Sequence, residues 1–68
     1  MKADYTLCKY DPAANVWRDE FGAFARREVE AEMEDHRDHG TKAKLLVIVN
    51  HAPTAAAMMA ARDALPVL

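Results

Sequence analysis

The chain has one cysteine, two glycines and no serine, and its longest run of large apolar residues is Leu45 to Val49. Cys8 alone can form neither an intrachain disulfide nor a zinc site of the paired-cysteine kind, and a lone thiol suits a reducing compartment. Two glycines, Gly22 and Gly40, are too few for a loop that cradles phosphate, and the lack of serine removes the serine-nucleophile arrangements. Five apolar residues in a row fall far short of the roughly 20 that a membrane helix needs. Asp4, Lys9, Asp11, Arg18 and Asp19 interrupt the N-terminal stretch, so it lacks the apolar segment of a signal peptide. These features point to a soluble protein of the cytoplasm.

What is present is a short, rather hydrophobic chain: 68 residues, of which 51% are apolar. That composition supports a folded single domain spanning residues 1–68 over a disordered segment. A domain of this size buries only about 60% of the surface its unfolded chain exposes, so its core is marginal. With no disulfide to help, the remaining sources of stability are a homo-oligomeric interface or a larger partner.

Tyr5-Thr-Leu-Cys-Lys-Tyr10 has strand composition and runs into Asp11-Pro12-Ala13-Ala14-Asn15, where proline suits a turn and asparagine a left-handed backbone. Val16-Trp17 resumes the strand pattern, which predicts a β-hairpin. The alternative, a helix capped by Asp11 with Pro12 in its first position, would place Gly22 in the helix interior at a cost of about 1 kcal/mol. The run YDPAANVW resembles the hairpin of a kelch propeller blade in its turn chemistry, without the repeat that such a fold requires.

From about Ala23 the residues become alanine, arginine, glutamate and methionine, and Phe21, Ala25, Val29 and Met33 form an i, i+4 ridge with Phe24 beside its start. A helix ending at Gly40 is predicted, although Glu28, Glu30, Glu32 and Glu34 alternate with apolar residues as in a strand. Lys42 to His51 contains LLVIV, which predicts a central strand covered on both faces. Thr54 then caps a second helix running to about Leu65, and Pro66 ends it. The expected architecture is α+β, in the order β-β-α-β-α, with a three-stranded sheet packed by one long acidic helix and a short C-terminal helix rich in alanine and methionine.

Three features suggest function. Glu28, Glu30, Glu32, Glu34, Asp35 and Asp38 face a single base, Arg37, between Glu28 and Asp38. Glu28/Glu32 and Glu30/Glu34 are like-charge i, i+4 pairs, each unfavourable by a few tenths of a kcal/mol. Such a block attracts a basic protein surface and repels a nucleic-acid backbone, although a plain solvated helix face would show the same residues. Glu32, Asp35, His36 and His39 fall within about 100° of one another around the helix, a spacing from which zinc or nickel could be held, with His51 as a further nitrogen. Histidines in a last helical turn also serve simply by complementing the helix dipole. The final helix is apolar almost all round, so Met58, Met59 and Leu65 are candidates for a homodimer or partner interface.

No pattern supports catalysis. Cys8 with His36, His39 or His51 would make a nucleophile and base only if folding brought them together. The leading expectation is a non-catalytic protein-binding module, an inhibitor or regulator that docks its acidic helix on the basic, nucleic-acid-binding surface of a larger complex. Small phage-encoded inhibitors of bacterial defence, anti-CRISPR proteins among them, work this way as a class, and the chain is similar to them in size and charge. The alternatives are a metal-binding module built on His36 and His39, or direct nucleic-acid binding through Lys2, Lys9, Arg18, Lys42 and Lys44. The formal net charge of −2 disfavours the last.

Overall fold

A computed structural model describes residues 4–68. It is a small α+β domain in the order β-β-α-β-α. Strands β1 (Asp4–Asp11), β2 (Val16–Ala23) and β3 (Leu46–His51) form one antiparallel sheet in the order β2-β1-β3. Helix α1 (Arg26–Asp38) links β2 to β3, and α2 (Ala55–Asp63) follows β3.

The turn between β1 and β2 forms through local chemistry. Asp11 Oδ1 accepts hydrogen bonds from the Ala13 and Ala14 N–H groups, and Asn15 takes the left-handed conformation at φ 56°. An aspartate that ties down the backbone beyond it and an asparagine that tolerates positive φ are what this reversal needs. The hairpin expectation therefore holds, and β2 is longer than its opening Val16-Trp17 suggested. A bulge interrupts its pairing with β1, where Leu7 faces Phe21 and Cys8 faces Asp19, leaving Glu20 between them.

Because β2 runs to Ala23, Phe21 is a strand residue and Ala25 the residue before the helix, so the expected four-member helical ridge shrinks to Val29 and Met33. Phe24, expected beside the ridge, is 68% exposed. The helix ends as anticipated: Gly40 sits at φ 97°, with Gly40 N–H donating to Arg37 O and Thr41 N–H to His36 O. This reciprocal pair of bonds satisfies carbonyls of the last turn, and glycine supplies the left-handed position. At α2, Thr54 Oγ1 accepts from Ala57 N–H at 3.1 Å. The helix stops at Asp63, short of Leu65.

β3 is an edge strand, contrary to the central position expected for LLVIV. Alternate residues of β1 and β3 point to opposite faces. On one face Leu7, Val29 and Leu46 form a core with Tyr5, Ala23, Met33 and Ile48. On the other, Cys8, Tyr10 and Trp17 pack with Leu45, Val47, Val49 and Leu65. The apolar run of β3 reflects helices covering both faces of the sheet, which says nothing about how many strands flank it. The central place belongs to β1, whose Leu7 and Cys8 are fully buried. Leu45, the first residue of that run, lies in a 3-10 turn (Ala43–Leu45) before β3.

No helix among the described residues is long and apolar enough to cross a membrane.

Candidate interaction surface

Helix α1 rests on the sheet along one narrow stripe. Val29 is its only buried residue, flanked by the half-buried Ala25, Glu32, Met33 and His36. At 100° per residue, Glu30, Glu34, Asp38, Asp35, Glu28 and Glu32 then spread over about 200° of the remaining circumference. Glu34 and Asp38 lie near its outermost line, together with Arg27 and Ala31. The six carboxylates thus wrap the solvent side of the helix, and Glu32 alone approaches the sheet.

Four of the six have a basic neighbour on the same helix. Arg26 Nε meets Glu30 Oε1 at 2.8 Å, and Arg37 Nη1 meets Glu34 Oε2 at 3.4 Å. His36 Nε2 lies 3.9 Å from Glu32 Oε2, and His39 Nδ1 lies 3.6 Å from Asp35 Oδ1. Glu28 and Asp38 make no ion pair with any described residue. Exposed pairs of this kind are worth about 0.2–1 kcal/mol, so an incoming cation can replace the arginine at little cost. Arg26 is also engaged on its other side, 5.8 Å from the centre of the Tyr5 ring.

The candidate metal ligands form two separate pairs along the helix, Glu32 with His36 and Asp35 with His39. Among the described residues no three or more His, Cys, Asp and Glu side chains gather where they could hold a metal ion. His39 Nδ1–H donates to the Asp35 carbonyl at 2.8 Å, which raises its pKa above the usual 6.5, with the Asp35 carboxylate adding to the effect. The cationic ring therefore stabilises the helix end below pH 6.5, and that contribution fades as pH rises through the elevated value.

His51 belongs elsewhere, on the α2 side of the sheet. Its Nδ1–H donates to Ala52 O at 2.8 Å, so in the neutral ring Nε2 accepts the hydroxyl proton of the buried Thr6 at 2.7 Å. Cys8 is fully buried on that same face, and burial, with the Asp19 charge adding to it, pushes its thiol up to about 11. It is therefore a protonated core residue at neutral pH. Thiol reagents at pH 7.5 are expected to leave Cys8 of the folded protein unmodified over minutes and to label it fully in denaturant. Mass spectrometry of the labelled chain reads this directly, and rapid native labelling would contradict the packing.

The basic residues considered for nucleic acid are only partly assembled. Lys9 and Arg18 are cross-strand neighbours, but Asp11 Oδ2 accepts from Arg18 Nε at 3.1 Å, and Asp11 and Glu20 line the same open cleft. The Arg18 bond holds the Asp11 carboxyl below its usual 3.8. Lys42 lies just before the 3-10 turn that leads into β3 and Lys44 within it; Lys2 lies outside the described residues.

The C-terminal interface candidates are graded: Met58 on α2 is half-buried, Leu65 just beyond the helix packs on the Cys8, Tyr10 and Trp17 core, and Met59 is 47% exposed. Beyond the helix the tail crosses back over the hairpin. Trp17 Nε1–H donates to Pro66 O at 2.8 Å, and the Tyr10 hydroxyl lies 3.3 Å from both Leu68 O and Asn15 Oδ1. Arg62 Nη1 reaches Asp19 Oδ1 of β2 at 2.8 Å. Sequence spacing gave no sign of the contacts to Pro66, Leu68 and Arg62, whose partners are more than 40 residues away. Compared with protein-family models, with curated proteins and with solved structures, the chain matches none.

Proposed function

We propose that this chain is a non-catalytic protein-binding module that docks the outer side of α1 onto a basic surface of a larger partner. The observation that carries the reading is the way α1 is mounted. Val29, its one buried residue, and the half-buried Met33 hold it to the sheet, and its whole outer side is left exposed with Glu30, Glu34, Asp35 and Asp38 on it. A convex acidic ridge of this kind fits a groove lined with lysine and arginine, and its field accelerates encounter with such a surface. If the groove normally holds nucleic acid, occupancy by α1 blocks it, which would make the chain an inhibitor of the kind that anti-CRISPR proteins exemplify.

Capture from host lysate tests this when wild-type chain is compared with Glu34→Lys/Asp38→Lys. Both positions lie on the outermost line of α1, and neither side chain is buried. The wild type is expected to retain a basic protein at low salt and release it at about 0.5 M salt, where the Debye length falls to a few Å. The reversed variant should retain none of it. A partner held equally by both chains would overturn the proposal.

A further inference from the structure

The two edges of the sheet differ in a way that neither helix explains. β2 carries Arg18, Asp19 and Glu20 and is bent by the bulge at Glu20, which are the usual protections of a free edge. β3 has none of them: its sequence, Leu46-Val-Ile-Val-Asn-His51, contains no lysine, arginine, carboxylate or proline. Beyond its ladder with β1 and the bond from Leu46 N–H to Ala43 O at its start, no backbone group of β3 hydrogen-bonds to another described residue. An uncharged edge strand of this composition, unbroken by a bulge, is a template for another strand.

We infer that β3 pairs with β3 of a second copy, antiparallel, to make a symmetric dimer with one continuous six-stranded sheet. A second copy suits this edge because an uncharged strand is self-complementary under a two-fold axis normal to the sheet. That axis keeps both α1 helices on one face and both α2 helices on the other. The available area is also adequate. Three strands at about 4.8 Å spacing are only about 10 Å wide, so the smallest Cα extent, 13 Å, lies across the sheet, and each sheet edge opens onto a side of 34 by 23 Å. A stable interface takes about 800 Å² from each partner, the same order as the full bounding area of such a side.

Helix α2 extends the surface. It begins four residues after the end of β3, and Arg62 near its other end reaches Asp19 on β2, so it crosses the sheet with its first turns at the β3 edge. Met59, exposed in the middle of α2, is the large apolar residue of that helix which such a dimer would cover. The dimer does not depend on the acidic side of α1, and Glu34→Lys/Asp38→Lys should leave it intact.

The test combines solution mass with amide exchange. Light scattering at micromolar concentration should give about twice the 7.6 kDa chain mass, and Asn50→Lys, an exposed position on β3, should weaken association at least tenfold. Met59→Glu should weaken it as well, with unchanged circular dichroism in both variants. In the wild type every amide from Val47 to Asn50 should be protected, since pairing on both sides leaves none free. A wild-type monomer at 100 µM overturns the inference. So does a dimer in which alternate β3 amides exchange at the rate of exposed backbone, because its interface would lie elsewhere.

Discussion

Replacing Trp17 with alanine is expected to destabilise the domain by about 3–5 kcal/mol, the range for removing a buried aromatic side chain. Three contributions are lost together. The indole is buried among the core residues of the α2 side, and its ring meets Tyr10 edge-on at 5.2 Å and 64°. Its Nε1–H also holds the Pro66 carbonyl, which anchors the C-terminal tail over the hairpin. A domain of this length has about 3–10 kcal/mol of total stability, so the variant should be largely unfolded in mild denaturant. Trp17→Phe separates the terms: it keeps a ring in the core and loses the hydrogen bond, for about 1–2 kcal/mol. Urea titration followed by far-ultraviolet circular dichroism measures both. A Trp17→Ala variant within 1 kcal/mol of wild type would show that the tail and hairpin do not share a core.

Val29→Asp should be comparably damaging, at about 3 kcal/mol or more, because it places an unpaired carboxylate between Leu7 and Leu46. Val29 is fully buried and is the one residue of α1 so placed. The effect should therefore include detachment of the helix as well as loss of packing. Ala31→Asp, two residues further on and exposed, is the control: lower helix propensity and the like charge of Asp35 should cost only about 1 kcal/mol. Equal effects from the two substitutions would mean that α1 is not seated along the Val29 stripe.

The parts of this fold that could be read from the sequence are those that local chemistry decides. Asp11, Pro12 and Asn15 specify the hairpin turn, Gly40 the end of α1 and Thr54 the start of α2, each within a few residues of the group it satisfies. The second half of β2 could not be read this way. Arg18, Asp19 and Glu20 have little strand preference, and the strand exists there because β1 pairs with it across the bulge. The error at β3 arose because side-chain pattern reports covered faces, while an edge position concerns backbone hydrogen bonds that leave no mark on composition.

The candidate site divides along the same line. The acidic residues of α1 were legible as a block, because charge is visible residue by residue. Their direction was legible as well, since the predicted ridge already set Val29 and Met33 inward; what changed is the start, at Arg26 instead of near Ala23, which removes Phe21 and Ala25 from the helix. The histidines looked like one group by spacing, yet side-chain geometry sorted them into two carboxylate pairs, with His51 committed to Thr6 on the opposite face.

The acidic ridge is tested most directly by the salt dependence of association between the chain and the basic protein it captures. Attraction between opposite charges acts chiefly on the association rate and is screened over about 10 Å at 0.1 M salt. The wild-type association rate should fall at least tenfold between about 0.05 and 0.5 M salt, and Glu34→Lys/Asp38→Lys should lower it at low salt and flatten its salt dependence. An association rate that is independent of salt, or the same in the wild type and the reversed variant, would contradict docking through the outer side of α1.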